Sequence, residues 1–442
     1  MSAFAKATAR QPSLSATLRA KTGGKGIRTP DFQLAKLALY QLSYAPRAKV
    51  EINWLIVERK ATGTLNERRT RFAVCSTINS ARPMDAPVLL NVADYARVAR
   101  EKLSRDCFDY YDGGALDEIT LRENAAGWDR LKLYYHVLAS VGPRNLETTL
   151  LGQKISMPIA LGPTAFHKLA CDAGEIATAR AAKAAGTLFI LSSLSNIAME
   201  SVFPEAGVPR WFQLYVYKDR AITLELVQRA EAAGAKAIVL TVDAPGLGTR
   251  ERDTRNNFCL PAGLTVENLA PLGKDKVPEV KGSGLAAYAR DNFKSDLGFD
   301  DLDWLCHSTL LPVVVKGVCR GDDARRAVEH GARAIVVSNH GGRQLDAAPA
   351  TSEVLSHVAD AVGDRSEIYV DGGIRRGSDA LKAIALGARA VLVGRAILWG
   401  LCVAGEHGAT GVLELLRREL DEAMLLCGCT TVADIDSSLL KP

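Results

Sequence analysis

The chain of 442 residues is 48% hydrophobic and 24% charged with 37 Gly, so it can build a sizeable core and is neither a disordered chain nor a small disulfide scaffold. Its nine Cys form no CxxC pair and only Cys427 and Cys429 lie close together, which argues for reduced thiols and against a zinc site; no metal is expected. Residues 1–83 hold 15 Lys or Arg against 4 acids and the remainder 40 against 46, so the formal charge of +5 belongs to the N-terminal stretch and the main body has no compositional case for nucleic-acid binding.

Residues 1–83 lack sustained periodicity and are expected to be unstructured or a non-native extension. The stretch GIRTPDFQLAKLALYQLSYAP reads first as translated transfer-RNA sequence preceding a natural initiator at Met84, and second as a basic targeting peptide. Residues 84–158 form an N-terminal segment in which VADYARVAREKLSRDCFDYY is helix-like and plugs one end of the C-terminal domain or reaches its mouth. From residue 159 to 438, eight short apolar runs recur: IALGPTA, LFILSS, WFQLYV, AIVLTVD, PVVVKGV, AIVVSNH, EIYVDGG and AVLVGR. Continuous apolar runs separated by room for a crossover helix predict parallel strands buried on both faces.

The joints EAAGAKAIVL, EHGARAIVV and ALGARAVLV look like copies of one helix-to-strand turn, with Gly in the left-handed conformation. Eight such units specify an α/β fold of the (β/α)8 TIM-barrel type, and no GxGxxG follows the first strand to support a dinucleotide fold. Strand starts are about 22 to 33 residues apart except between the fourth and fifth, where the gap of about 75 predicts an insertion after strand 4, a polar lid centred on GKDKVPEVKGSG. No apolar run approaches the roughly 20 residues of a membrane span, so no membrane partner is expected.

The strand ends are polar on all eight strands, as an enzyme barrel requires at its C-terminal mouth. In order they offer Pro163, Thr164 and Ala165; Ser192 and Ser193; Gln213 and Tyr215; Thr241 and Asp243; Lys316; Ser338, Asn339 and His340; Asp371, Gly372 and Gly373; and Gly394 and Arg395. DGGIRRG adds Arg375 to the seventh and eighth ends, the usual phosphate cradle of this fold, with a plain tight Gly turn as the alternative. With Gln213, Thr241 and Lys316 facing a ring system, the ligand expected is FMN; a Schiff-base role for Lys316 stays open. His340 is a general base, Asp243 its carboxylate partner, and Arg250 and Arg343 two guanidiniums able to clamp a carboxylate.

From about residue 88 to 438 the sequence resembles the FMN-dependent 2-hydroxy-acid oxidase and dehydrogenase family, in the stretches FDYYDGGALDEITLREN, LGQKISMPIALGPTAF, WFQLYVYKDR, LTVDAPGLGTRERD, VVKGV, VSNHGGRQLD and DGGIRRGSDALKAIALGA. The resemblance implies that His340, assisted by Asp243, removes a proton from an L-2-hydroxy acid while two electrons pass to FMN. Arg250, Arg343 and Tyr110 would hold the substrate carboxylate and Tyr215 its hydroxyl. Pro163, Thr164, Ala165, Ser192, Gln213, Thr241, Lys316, Ser338, Asp371, Gly372, Gly373, Arg375, Gly394 and Arg395 would hold the cofactor.

Leu194 stands where plant-type glycolate oxidases carry a Trp, as in lactate-oxidase-like members, whereas Thr164 resembles the glycolate type. L-lactate is expected first and glycolate second, with O2 as acceptor and H2O2 as product, since Ala165 and a polar lid resemble the soluble oxidases. A quinone-linked dehydrogenase and an FMN-binding barrel without turnover are the alternatives. A homotetramer is expected from the resemblance, and a cytoplasmic location from a C-terminus reading SLLKP rather than a peroxisomal tripeptide.

Overall fold

The computed structural model describes residues 88–207 and 209–441; the expectations for residues 1–83 lie outside them. Its centre is a closed barrel of eight parallel strands: β3 (Ile159–Leu161), β4 (Phe189–Ser192), β5 (Arg210–Leu214), β6 (Ile238–Thr241), β7 (Val313–Val318), β8 (Ala334–Val337), β9 (Glu367–Val370) and β10 (Ala390–Val393), which closes on β3. These are the eight apolar runs. Every second side chain points inward, and Ala160, Ile190, Trp211, Val239, Val314, Val336, Tyr369 and Leu392 fill the lower interior. Their neighbours Leu161, Leu191, Phe212, Ile335 and Val370 point outward into the shell of helices.

That shell comprises α4 (Gly174–Ala185), α5 (Met199–Val202), α6 (Arg220–Ala232), α10 (Gly321–Glu329), α11 (Thr351–Val362), α12 (Gly377–Ala385) and α13 (Arg395–Cys427). The three repeated joints behave as copies should: Gly234, Gly331 and Gly387 have φ of +88°, +95° and +100°. After β6 the chain makes its long excursion through α7 (Glu251–Arg255) and α8 (Gly284–Asn292) before the crossover helix α9 (Phe299–Ser308). This lid is less polar than its composition implied, because Leu285, Ala287, Tyr288 and Ala289 of α8 are buried.

The N-terminal segment is two helices, α1 (Val92–Lys102) and α2 (Arg105–Asp112), then α3 (Ile119–Arg130). Sequence reading missed the hairpin of β1 (Thr148–Leu150) and β2 (Gln153–Ile155), whose Leu150 and Ile155 cluster with the lower interior side chains and plug the N-terminal end. α13 also qualifies an expectation: an 18-residue window of it has mean hydropathy 1.2, long and apolar enough for a membrane span. However, 56% of that window is buried, the helix breaks at Ala404 and Gly405, and it packs on α4, α1 and α12.

The α12–α13 contact depends on the absence of a side chain at Gly377, where a β-carbon would stand 2.5 Å from the Leu416 carbonyl oxygen and overlap the Leu420 amide. Gly377→Ala is therefore expected to destabilise the protein by about 1 to 3 kcal/mol through overpacking. A thermal melt of the purified variant checks this, and an unchanged Tm would contradict the packing argument.

Candidate active site

Above the apolar layers the inward positions turn polar, because the same period-2 alternation continues to the strand ends. Ser192 follows Ile190, Gln213 follows Trp211, Thr241 follows Val239, Lys316 follows Val314, Ser338 follows Val336, and Asp371 follows Tyr369. All but Asp371 are buried. Ser192 Oγ and the Ser193 N–H donate to Gln213 Oε1 at 3.1 and 3.2 Å, and Gln213 Nε2 donates to Thr241 Oγ1 at 3.0 Å. Lys316 Nζ lies 3.0 Å from Asp371 Oδ2 and donates to Ser338 Oγ at 2.9 Å. Burial pulls the Lys316 pKa down, but Asp371 and Asp243 outweigh it and hold the ammonium above its ordinary value.

His340 leaves the end of β8 with φ +57°, followed by Gly341 and Gly342 at +64° and +76°. Its Nδ1 is 2.8 Å from Asp243 Oδ1. Asp243 is held below the usual carboxylate range, since His340 and Lys316 outweigh the effect of burial, so the ionised oxygen accepts from Nδ1–H and leaves Nε2 unprotonated. Burial lowers the His340 pKa more than Asp243 raises it, which keeps the ring neutral near pH 7 and competent as a base. The pair owes its place to Gly317, in a β7 irregularity at φ +110°, where a β-carbon would stand 2.6 Å from Asp243 Cβ and Cγ.

Four arginines surround the mouth. Arg250 is buried, with a 3.5 Å contact to the Arg343 carbonyl and Asp253 3.9 Å away. Burial and Arg343 push its pKa down to about 10, which still leaves it charged at neutral pH. Arg343 donates to Gly113 O at 2.7 Å and lies over the Tyr110 ring at 5.2 Å. Arg395 donates to the carbonyls of Tyr111, Gly113 and Gly341, and Arg375 to that of Ile374. Burial and the neighbouring guanidiniums Arg343 and Arg375 depress Arg395 strongly; burial also depresses Arg375. Mutual repulsion among these buried and half-buried cations, whose partners are mainly carbonyls, creates a standing demand for anions.

Tyr110 reaches the mouth from α2 and stacks on Phe258 of the lid at 4.3 Å, while Tyr215 stacks on Phe293 at 4.6 Å. Burial raises the pKa of both, so both keep their phenolic protons. Arg252 joins α2 and the start of α3 to the lid, with Nη1 3.1 Å from Asp112 Oδ2 and Nη2 2.6 Å from Glu118 Oε2. The adjacent turn at Gly372 and Gly373, φ +94° and +82°, presses against α3, and a β-carbon on Gly373 would overlap the Asn124 carbonyl. Trp128 Nε1 donates to Gly372 O at 2.7 Å. These glycines answer a close helix contact as well as a turn.

These groups line one cleft of about 1200 Å³, open solvent included, containing Tyr110, Pro163, Thr164, Ala165, Ser192, Gln213, Tyr215, Thr241, Arg250, Lys316, His340, Arg343, Asp371, Gly372, Gly373, Arg375, Gly394 and Arg395. Asp243 and Ser338 stand behind its wall, the former holding His340 and the latter accepting from Lys316 Nζ and the His340 N–H. The donor set fits FMN: guanidiniums short of carboxylates answer a phosphate, and the Gln213, Thr241 and Lys316 heads answer the polar edge of a flavin ring. Asp371 Oδ1, buried and without a hydrogen-bond partner among the described residues, is a further acceptor. Residues not singled out from sequence include Tyr111 and the apolar wall of Leu247, Leu285, Ala289 and Phe293, which joins Leu194. The lid contributes this wall, and no strand-end periodicity points to it.

The model of the FMN-dependent dehydrogenase family matches residues 99–442. An L-lactate oxidase of Nostoc sp. is 50% identical over 357 residues, covering 79% of this chain and 98% of that protein. The 2-hydroxyacid oxidase 1 of Homo sapiens is 47% identical over 360 residues, covering 80% and 97%. A crystal structure of mandelate oxidase with (S)-4-hydroxymandelic acid is similar at a TM-score of 0.76 and 40% identity, covering 80% of this chain and 98% of that one.

Replacing Arg395 by Ala removes one charged donor from the cradle. At about 1.5 to 3 kcal/mol for a charge-assisted hydrogen bond, FMN affinity is expected to fall roughly 10- to 150-fold. Titration of the apo-protein with FMN by flavin fluorescence measures it, and an unchanged Kd would remove Arg395 from the cradle.

Proposed function

Because this chain belongs to the FMN-dependent dehydrogenase family and is an enzyme of FMN-dependent 2-hydroxy-acid oxidation, we propose that it takes L-lactate first and glycolate second, and that O2 accepts the electrons and leaves as H2O2. The observation that carries this reading is the convergence in one cleft of His340, backed by Asp243, with Arg250, Arg343, Tyr110 and Tyr215. FMN, when bound, supplies the two-electron acceptor that no side chain here provides.

Arg250 and Arg343 clamp the substrate carboxylate, which also relieves their mutual repulsion. Tyr110 adds a phenolic donor to that carboxylate, and Tyr215 bonds the substrate hydroxyl. His340 Nε2 takes the proton that leaves the carbinol group, and the Asp243 carboxylate stabilises the imidazolium so formed through Nδ1–H. The apolar lid wall excludes water from the charged groups and strengthens each interaction.

Lactate is favoured over glycolate because Leu194, a buried residue in the cleft wall, takes less space than an indole would and so suits a substrate methyl group. A single methyl discriminates by only about 1 to 3 kcal/mol, so both acids are expected to react. Anaerobic mixing with each acid, followed by flavin absorbance, ranks them. Admission of air with a peroxide assay then separates the acceptors: fast recolouring with peroxide supports O2, whereas bleaching that persists in air supports a quinone-linked dehydrogenase.

Two outcomes are expected from the state of His340. The base must be neutral and its pKa lies below the ordinary 6.5, so kcat/KM is expected to be level on the alkaline side of neutrality until Arg250 loses its proton near pH 10, and to fall tenfold per pH unit below the depressed His340 pKa. An acid limb centred above 6.5 would contradict this. His340→Ala is expected to keep bound flavin and lose roughly 10²- to 10⁴-fold in the rate of flavin reduction; an unchanged rate in stopped flow would remove His340 from the reaction.

A further inference from the structure

We propose that Gln344 is a positioning residue whose side-chain amide holds the loop carrying Asp243 and Arg250, and so sets the base and the carboxylate clamp together. The proposal rests on the functional reading above, in which those two residues serve substrate oxidation. Gln344 Nε2 donates to the carbonyls of Asp243 and Gly246, each at 2.8 Å, and its Oε1 accepts from the Gly248 N–H at 3.0 Å. An amide offers two donors and an acceptor on one flat fork. Turned over, it would set its oxygen against two carbonyls and its NH2 against an N–H, so its orientation is fixed by these partners.

The bonds fall where the loop needs them. Val242 is still tied to β7, its N–H donating to Lys316 O at 2.8 Å, and Thr249 O accepts from the Leu116 N–H at 2.9 Å. Between those points Gln344 anchors the backbone at residues 243, 246 and 248. The two loops meet along their backbones, since a β-carbon on Gly248 would stand 2.5 Å from the carbonyl oxygens of both Arg343 and Gln344. One short segment after β8 thus carries His340, Arg343 and the anchor of their partners. The Asp243 carbonyl is held by Gln344 while its carboxylate is held by His340 Nδ1 at 2.8 Å. Losing the anchor frees the residue that orients the base, and a misplacement of about 1 Å costs on the order of 10²-fold in rate.

The test uses FMN-loaded full-length protein with Gln344→Met, which keeps the volume without the bonds, and Gln344→Glu, which keeps the shape but sets acceptors against two carbonyls. Both are expected to retain flavin and melt near wild type. Anaerobic reduction by L-lactate, per bound FMN, is expected to slow about 10- to 100-fold, with half-saturation at several-fold higher lactate because Arg250 moves with Asp243. Gln344→Met combined with Asp243→Asn is expected to cost less than the product of the single losses.

Wild-type reduction rates per bound FMN in both variants, including a result in which only Tm or flavin content falls, overturn the proposal. Fully multiplicative losses in the double variant do the same. If Gln344→Met does not fold, Gln344→Glu carries the comparison. Wild-type flavin that no 2-hydroxy acid reduces sinks the functional reading instead; amide exchange over residues 243–250, faster in Gln344→Glu if the anchor is real and unchanged if it is not, then decides the structural claim.

Discussion

Repulsion among closely set guanidiniums, Arg250 buried and Arg343, Arg375 and Arg395 half-buried, is the constraint around which the mouth of this barrel is arranged. Besides burial, Arg343 depresses the proton affinity of Arg250, and Arg343, Arg375 and Arg250 together depress that of Arg395. The fold tolerates the cluster by turning backbone carbonyls toward it: Tyr111, Gly113, Gly341 and Ile374 all accept from these side chains. Carbonyl dipoles satisfy the N–H groups but cancel little of the charge. The site is therefore built before any ligand arrives and gains by receiving anions, which suits a phosphate and a carboxylate occupying the same cleft.

The charged groups also explain why chain segments outside the barrel matter. The carbonyls of Tyr111 and Gly113 belong to α2 and its exit, so the N-terminal helices supply part of the lining that makes the arginines tolerable. Arg252 fastens the same helix to the lid through Asp112 and ties in the start of α3 through Glu118, and Asn256 adds a bond to Asp109 at 2.8 Å. α3 contributes on the other flank: Asn124 and Asn339 exchange amide bonds at 2.8 Å in both directions, and Asp346 accepts from the Thr120 N–H at 2.9 Å. Barrel, lid and N-terminal helices share one polar network at the mouth.

The barrel was legible because its strands are buried on both faces, and eight apolar runs with repeated Gly joints leave few other folds. The polar inner ring was legible for a related reason, since a period of two carries an inward position such as Val239 to the next inward position, Thr241. What alternation does not reveal is depth: Ser338 and Asp243 sit at strand ends like the others, yet support Lys316 and His340 from behind. The hairpin was missed because TTL and QKI are only three residues each and mostly polar. Gly372 and Gly373 were read as a phosphate turn, but contact with Asn124 depends on a helix about 250 residues earlier, which no local pattern encodes. The apolar lid wall escaped notice because GLAAYARDN mixes its buried Leu285 and Ala289 with Arg and Asp.

That small hairpin has a consequence for traffic. With Leu150 and Ile155 seated against the lower interior, the N-terminal end of the barrel is a stopper and not a passage. Substrate, acceptor and product must use the same side of the molecule, the side roofed by α8. Turnover is then a matter of queueing: a keto acid lingering under the roof delays the next hydroxy acid, and the residues that shape the roof govern waiting time as well as recognition.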